Sequence, residues 1–381
     1  MWALMIADIA PAEFSAPSPP GITPSLGERE DLMMAVGLGE EVPLREIDRS
    51  LKKLWESNKA LTRASLMNLA IYEECPDSLA KNTEVIRELT REHACRALLI
   101  AVEPATGDPS VRAWITAHCQ LSAGGRKSVC SEQVSFLIHG CGQTVVANTL
   151  FAHVDSDLPL TLWWQGDFTG NWEPYLFTEI HRLVIDSSGW SDPLAQFDIL
   201  ERSWRHPASE FSVNDLTWTR VLHLRMALAA CFDDPGALAL LPQVESMEIT
   251  CSPGNLMAGR MFAAWAAHRA GWKFARMEEP GRVFRFDTKA GSLRLTFSEM
   301  PACVAVPAVV LRAPGLTVSL TQLDDSPFIQ GKVETAAGKV ERLTPCPCHS
   351  PADLVIERLR RGCNTKLYFT LLETVRAMLA V

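Results

Sequence analysis

The sequence predicts an α/β protein in which a mixed-sheet N-terminal domain is followed by an α/β domain with a parallel βαβα core and an antiparallel extension. Three observations predict this class. Short apolar runs alternate with helical patterns up to about residue 202, and two long alternating runs flank Gly124-Gly125. Strand patterns punctuated by Gly and Pro dominate after residue 282.

The chain before residue 42 forms a proline-rich leader that we expect to be disordered. Five prolines between residues 11 and 24 are incompatible with a long helix or a central strand. Order begins near Val42, because the following residues form one apolar helical stripe at Ile47, Leu51, Leu54 and Trp55. The predicted divisions are a leader over 1–41, a first domain over 42–156 and a second domain over 157–381.

The first domain alternates strands and helices. An apolar run at 66–72 precedes a helix capped by Asn82, and a second apolar run follows at 97–102. The runs at 111–121 and 130–138 alternate apolar and polar residues, which predicts an antiparallel pair. A further helix begins near Thr144.

The second domain opens with a βαβα pattern, which implies parallel strands with crossover helices. Its predicted strands lie at 158–164 and 183–186, and its predicted helices at 172–181 and 193–202. Long helices at 216–230 and 255–269 flank a short strand at 247–250. Four strands, at 283–287, 293–298, 308–313 and 316–323, form the antiparallel extension, and helices near 352–361 and 367–379 close the chain.

Charge and hydropathy exclude several classes of protein. A net charge of -9 and a pI near 5.6 have the wrong sign for a phosphate-backbone binder, so we expect no nucleic-acid partner. No apolar run reaches the roughly 20 residues that cross a bilayer, and the N-terminus lacks a basic region typical of a secretory signal. We therefore expect a cytoplasmic protein with no membrane contact, and expect most of the 11 cysteines to be buried thiols.

The candidate ligand edge lies at the carboxyl ends of the parallel strands, where such sheets bind ligands. Gly166, Asp167, Asp186, Ser187 and Ser188 follow the predicted strands. Several tryptophans flank the same edge, and tryptophan is enriched both in cores and at binding hot spots. The candidates added on this ground are Trp163, Trp164 and Trp218, with Arg220 close by on the same predicted helix.

Other motifs carry weaker signals. The segment from Gly124 to Ser128 fails the phosphate-loop pattern, so it is read as a basic hairpin tip. The turn from His139 to Gly142 lacks a dinucleotide fingerprint, and a tight turn is favoured over an anion site. Cys346 and Cys348 lie close together on a proline-rich loop, where they are redox candidates, while no second Cys/His pair supports a metal site. We find no catalytic signature and no cofactor motif, so no catalytic residue is assigned.

Several separated stretches resemble the OpcA family of glucose-6-phosphate dehydrogenase assembly proteins. The most specific are LPLTLWW, at 158–164, and DLTWTR, at 215–220. Supporting stretches are TRASLMNLAIY (62–72), RLVIDSSGW (182–190), NLMAGRMFAAWAAHRAGW (255–272) and SPADLVIERLRRGCNTKLYFTLLE (350–373).

This resemblance implies a protein that is not an enzyme. It implies an allosteric activator and assembly factor that binds glucose-6-phosphate dehydrogenase, the enzyme that feeds the pentose phosphate pathway. The residues alone leave an alternative open, in which the strand-end carboxylates and hydroxyls belong to a sugar-phosphate or nucleotide-binding enzyme or metabolite sensor.

Overall fold

The strands of the protein pair into two large sheets, of nine and eight strands. They are seen in a computed structural model that describes residues 37–380 apart from 57–60, 64, 104–107, 122–127, 143, 324–325 and 348–349. The predicted α/β class is confirmed. Nearly all of the proposed leader, and the GGRKS tip as far as residue 127, lie outside the described residues.

The first sheet contains the strands from residue 40 to residue 215. Its order is β1-β5-β6-β4-β3-β7-β8-β9, with β2 paired to β6. The strands are β1 (Glu40–Val42), β2 (Leu61–Arg63), β3 (Asn68–Glu73), β4 (Arg96–Glu103), β5 (Ser110–Leu121), β6 (Ser128–His139), β7 (Leu160–Trp164), β8 (Arg182–Ile185) and β9 (Ser212–Asp215).

Six strands of this sheet run parallel, in the spatial order β6-β4-β3-β7-β8-β9. Counted along the chain, this is the 3-2-1-4-5-6 order of doubly wound nucleotide-binding folds. The order reverses between β3 and β7, which creates a crevice at their carboxyl ends. The parallel core and the antiparallel β5–β6 pair were both predicted, and both are confirmed.

The second sheet has the order β11-β12-β13-β10-β14-β15-β16-β17. Its neighbours are antiparallel except for β10 and β13, which run parallel. The strands are β10 (Ser246–Cys251), β11 (Lys273–Glu279), β12 (Val283–Thr288), β13 (Gly291–Glu299), β14 (Ala308–Ala313), β15 (Leu316–Gln322), β16 (Phe328–Thr335) and β17 (Gly338–Pro345).

Helices cover the sheets and fill the space between them. They are α1 (Ile47–Glu56), α2 (Ser78–Leu89), α3 (Thr144–His153), α4 (Pro174–Phe177), α5 (Pro193–Trp204), α6 (Leu216–Arg220), α7 (Leu222–Cys231), α8 (Pro235–Leu240), α9 (Leu256–Ala270), α10 (Pro351–Arg360) and α11 (Thr365–Leu379). Helix α9 packs on the second sheet and also against α11, which contacts β9 of the first sheet. The two sheets therefore share one hydrophobic core.

The structure corrects three predicted helices and adds strands that were not predicted. The predicted helix at 172–181 is a single turn, α4, which begins at Pro174, a residue suited to the first helical position. The predicted helix at 216–230 is interrupted at Val221, whose ψ is 12°, so α6 and α7 are separate. The helix predicted to be capped by Asn82 begins earlier, at Ser78. Strands β1, β2, β9, β11, β16 and β17 were not predicted, because they are short or because charged residues interrupt their apolar pattern.

The predicted boundary at residue 156 falls between β6 and β7, which both belong to the first sheet. The second sheet begins at Ser246, so the sheets divide the chain between Asp215 and that residue. Order also begins slightly before residue 42: Leu38 is buried and β1 starts at Glu40. No helix among the described residues is long and apolar enough to cross a membrane.

The expectation that most cysteines are buried thiols is wrong for the described residues, where four of ten cysteines are both buried and free. Cys119 is exposed and forms a disulfide with Cys130, because the antiparallel register of β5 and β6 places these two residues opposite each other. Eight described cysteines are free, and four of them are buried. Burial raises the pKa of the Cys95 and Cys251 thiols to about 12 in each case, so these thiols stay protonated.

Candidate functional site

The predicted strand-end residues of β8 meet the end of β9. Ile185 lies beside Asp215 in the parallel register, so Asp186, Ser187 and Ser188 begin where β9 also ends. The turn after β8 is a 3-10 turn over Ser187–Gly189, capped by the Asp186 side chain through the Ser188 N–H. Both strand ends therefore direct a carboxylate to the same edge of the sheet.

Asp215 is the more deeply buried of the two carboxylates. Its Oδ1 accepts hydrogen bonds from the Ser187 N–H at 3.2 Å and the Thr217 N–H at 2.9 Å. Its Oδ2 accepts from the Ser187 hydroxyl at 2.6 Å and the Tyr368 hydroxyl at 2.8 Å. Burial raises the pKa of Asp215, although these donors oppose the rise. This carboxylate ties β9, the β8 turn and α11 together.

Asp186 instead forms an ion pair with Arg220. The Arg220 Nη1 donates to Oδ1 at 2.7 Å and the Nη2 donates to Oδ2 at 2.5 Å, in a bidentate arrangement. Ser188 and Thr217 donate to the same carboxylate at 2.7 and 2.9 Å. Burial alone would raise the pKa of Asp186, but the hydrogen bonds and charge of Arg220 lower it below its ordinary value. Asp186 is therefore ionised at neutral pH.

Two buried arginines lie beside helix α6. The Arg225 guanidinium stacks 3.2 Å from the ring centroid of Trp218 and donates to backbone carbonyls of Trp218 and Val221. Burial, with the nearby charge of Arg358, lowers the pKa of Arg225 to about 9. The Arg358 Nε donates to the Thr219 hydroxyl at 2.6 Å, which joins α10 to α6.

Trp218 and Arg220 have different environments on helix α6. Trp218 is buried under Arg225, while Arg220, two residues later, points to Asp186 with 21% of its side chain exposed. Four further members of this cluster were not predicted from the sequence: Asp215, Arg225, Arg358 and Tyr368. Their only signal was position: Asp215 lies in the DLTWTR stretch, Arg225 follows it closely, and Arg358 and Tyr368 lie in the stretch at 350–373.

The predicted tryptophan surface is not exposed, which corrects that interpretation. Trp163, Trp164 and Trp218 are all buried, as are Trp172 and Trp190. Trp164 stacks on Tyr72 with ring centroids 3.9 Å apart. Trp163 and Trp164 lie on opposite faces of β7, a strand inside the sheet whose residues are all buried.

The glycine and aspartate after β7 organise that loop. Gly166 adopts a φ of 82°, and its carbonyl accepts a hydrogen bond from the Trp190 indole at 3.1 Å. The Asp167 carbonyl accepts from the Trp164 indole at 2.9 Å, and its carboxylate accepts from the Ser191 N–H at 3.1 Å. Both residues therefore hold the β7 loop against the core.

The crevice between β3 and β7 is where a fold of this strand order binds the pyrophosphate of a dinucleotide. Here β3 ends at Glu73, and the turn that follows it reads Glu74-Cys75-Pro76-Asp77 and contains no glycine. Glu74 accepts hydrogen bonds from the hydroxyls of Tyr72, at 2.6 Å, and Thr169, at 2.5 Å. The turn therefore places a carboxylate at the crevice, where a dinucleotide-binding fold has glycines and free backbone N–H groups.

A second hydrogen-bonded pair closes the same crevice. Asn82 lies on α2, and Gln165 directly follows β7. Their side-chain amides donate to each other, at 2.9 Å from Asn82 to Gln165 and at 3.0 Å in the other direction. Glu103 lies at the end of β4, which is the usual position for an acidic residue that binds the ribose. Its Oε2, however, lies 3.1 Å from Nδ1 of His139. The residues of this crevice do not fit a dinucleotide.

The remaining sequence motifs have structural roles where they are described. Gly140, in the turn before α3, has a φ of 60°, as a tight turn requires. Cys346 is buried and its sulfur accepts a hydrogen bond from the Gln322 amide at 3.1 Å, whereas Cys348 lies outside the described residues. Among the described residues, no group of three or more His, Cys, Asp or Glu side chains could hold a metal ion.

A cavity of about 270 Å³ opens between α6, α9 and the second sheet, next to the Asp186–Arg220 pair. The described residues that line it are Arg220, Leu224, Asn255, Cys303, Val304, Ala305, Val306, Gln322, Ser326, Cys346 and Pro347. Arg220 is the one charged side chain in this lining. The ion pair at the strand ends thus borders a polar cavity.

Two family models match the sequence. The model described as the glucose-6-phosphate dehydrogenase subunit N-terminal domain matches residues 86–202, and the model of the C-terminal domain matches residues 211–372. Both are models of the OpcA family. No curated protein sequence matches the chain.

Solved structures resemble the chain at low sequence identity. A 3-ketoreductase from Actinomadura kijaniata, solved with NADP, has 11% identity, a TM-score of 0.45, and coverage of 83% of this chain and 96% of its own. An oxidoreductase from Sinorhizobium meliloti has 13% identity, a TM-score of 0.42, and coverage of 84% and 90%. A super-repressor mutant of Gal80p from Saccharomyces cerevisiae has 5% identity, a TM-score of 0.43, and coverage of 78% and 83%. With TM-scores this low, no activity is inferred from these three structures.

Proposed function

Because this chain belongs to the OpcA family of glucose-6-phosphate dehydrogenase subunits, we propose that it is a non-catalytic activator and assembly factor of that dehydrogenase. The observation that carries the proposal is the pair of family models, which follow each other in order over residues 86–372. The proposal places the protein in the cytoplasm, with the dehydrogenase as its partner in the pentose phosphate pathway.

The filled crevice supports a role without a bound dinucleotide. In doubly wound enzymes, glycines after the first strand let the backbone approach the pyrophosphate. In this chain Glu74 lies there instead and is held by Tyr72 and Thr169. The fold has therefore kept the strand order of a nucleotide-binding enzyme, while its side chains stabilise a closed crevice.

The proposed action is a shift in the oligomeric equilibrium of the dehydrogenase. A partner can shift such an equilibrium only by binding one state more tightly than the other. The protein would therefore bind the active oligomer better than the inactive form, and raise the fraction of dehydrogenase in that oligomer.

Light scattering and rate measurements on purified proteins test this proposal. We expect added protein to raise both the mass of the dehydrogenase particle and its rate of NADPH formation, with saturation at a fixed ratio. The matched control is the same protein after thermal unfolding, which should change neither quantity. An unchanged mass together with an unchanged rate would overturn the proposal.

A further inference from the structure

The cavity beside the Asp186–Arg220 pair has the features of a ligand site. It lies between the two sheets, where α6, the start of α9 and the end of β15 meet. Its volume of about 270 Å³ is close to the lower end of the range of small-molecule pockets, roughly 300 to 1,000 Å³. A ligand of this size is a small metabolite, not a dinucleotide.

Arg220, which lines the cavity, has an unused pair of hydrogen-bond donors. A guanidinium has five N–H groups, and Arg220 makes three hydrogen bonds, all through Nη1 and Nη2 to Asp186 and Ser188. The Nε–H and the second Nη2–H lie on one edge of the guanidinium and donate to no described residue. That edge matches the two oxygens of a carboxylate or phosphate group.

Asp186 prepares this edge for binding. Its bidentate contact fixes the plane of the guanidinium, so an incoming anion meets donors that are already oriented. The same contact offsets part of the positive charge of Arg220. The site is therefore suited to an anion that also makes neutral hydrogen bonds.

Asn255 and Gln322 supply acceptors for such bonds. The Asn255 amide does not cap helix α9; its nitrogen donates to Ser252 at 3.0 Å. The Gln322 nitrogen donates to Cys346 at 3.1 Å. The amide oxygens of both residues accept no hydrogen bond from the described residues, so they are available to the hydroxyl groups of a ligand.

We propose that this cavity binds a small hydroxylated anion, with its carboxylate or phosphate group on the free edge of Arg220 and its hydroxyl groups on Asn255 and Gln322. The site is distinct from the closed crevice between β3 and β7. The proposal does not depend on the dehydrogenase, because it concerns a ligand of the isolated chain.

Thermal unfolding and titration calorimetry of the full chain test the proposal. The probes are glucose 6-phosphate, gluconate, inorganic phosphate and uncharged glucose, each at roughly 10 mM, because a ligand of the native state raises its stability. We expect a higher Tm with glucose 6-phosphate or gluconate, a smaller effect of inorganic phosphate and none with glucose. The stronger of the first two probes identifies the anionic group.

Two variants localise the binding. Arg220→Lys keeps the charge but loses the bidentate edge, and should weaken binding roughly tenfold. Gln322→Leu removes one acceptor while leaving the ion pair intact, and should weaken binding about fivefold. Arg202→Lys, an exposed arginine on α5, is the matched control and should bind like the wild type.

The proposal is overturned if no anionic probe shifts the Tm, or if glucose shifts it as much as the anions do. It is also overturned if folded Arg220→Lys and Gln322→Leu variants bind with unchanged affinity. Should the lysine variant fail to fold, the Gln322→Leu variant decides the outcome alone, because its ion pair is untouched.

Discussion

At the scale of single residues, the two aspartates at the ends of β8 and β9 have opposite environments. Asp215 is fully buried and is held by neutral donors, so burial raises its pKa. Asp186 is partly exposed and faces a guanidinium, whose hydrogen bonds and charge lower its pKa below the usual value. One carboxylate therefore joins structural elements, while the other orients an arginine.

Removing the Tyr368 hydroxyl tests the role of Asp215. Tyr368→Phe leaves the ring in the core but takes one donor from a buried carboxylate, which should lower the free energy of unfolding by about 2 kcal/mol. Tyr175→Phe is the control, because Tyr175 is exposed. This change should alter the free energy of unfolding by less than about 0.5 kcal/mol. Urea denaturation measures both, and equal effects would contradict the assigned role.

The pH dependence of stability tests the Asp186–Arg220 pair. A carboxyl whose pKa is lowered by folding stabilises the native state above its unfolded pKa, and loses this contribution as the pH falls through the folded value. Asp186→Asn should therefore cost about 1 to 2 kcal/mol at pH 7, discounted because the pair is partly exposed.

The difference between wild type and Asp186→Asn should shrink below about pH 4. Urea denaturation of both proteins across this pH range measures it. A difference that stays constant from pH 7 to pH 3 would show that the ionised carboxylate contributes nothing.

At the scale of elements, the contact of α9 with the second sheet depends on a glycine in the middle of the helix. A Cβ atom at Gly259 would lie 2.5 Å from the Cys251 sulfur and 3.1 Å from a ring carbon of Phe297. The helix can approach β10 and β13 this closely only because the residue has no side chain.

Gly259→Ala therefore sets two effects against each other. Alanine should gain up to about 1 kcal/mol of helix propensity, but crowding in a packed core costs about 1 to 3 kcal/mol, so we expect a net loss of stability. Gly362→Ala is the control, because its Cβ would meet nothing within 4 Å. Chemical denaturation of both variants checks the sign, and a stabilised Gly259→Ala would disprove this account of the packing.

At the scale of the whole molecule, the strand order of a nucleotide-binding fold is combined with a closed crevice. The crevice side chains come from the end of β3, from α2 and from the segment after β7, so opening it would break hydrogen bonds on both sides of the reversal in strand order. The polar cavity lies elsewhere, between the two sheets. Binding by this molecule is thus expected away from the reversal in strand order, where folds of this order usually bind their ligands.

We therefore expect NADP to leave the Tm of the chain unchanged within about 1 °C at roughly 1 mM, because a ligand that does not bind the native state cannot stabilise it. The dehydrogenase itself, which uses this cofactor, serves as the positive control in the same instrument. A Tm that rises steadily with NADP concentration would contradict the inference that the crevice around Glu74 does not bind a dinucleotide.

The local pattern of the sequence was sufficient for the class of fold and for many of its elements. Periodicity within ten or so residues predicted β3 to β8, α9 and the parallel core, because helices and strands differ in how often a residue faces the core. The same reasoning placed Asp186, Ser187 and Ser188 at one strand end. It could not find β16, where one buried position is Gly331, or β17, which is exposed along nearly its whole length.

Only the tertiary structure decided which distant residues meet. Asp215 and Tyr368 are separated by 153 residues, and Arg358 and Thr219 by 139, so no local pattern records their contacts. Burial of the tryptophans, pairing of Cys119 with Cys130 and closure of the crevice by Glu74 likewise depend on strand order and register. These are set by packing of the whole chain, since each pairing gains its free energy only when the other elements are already in place.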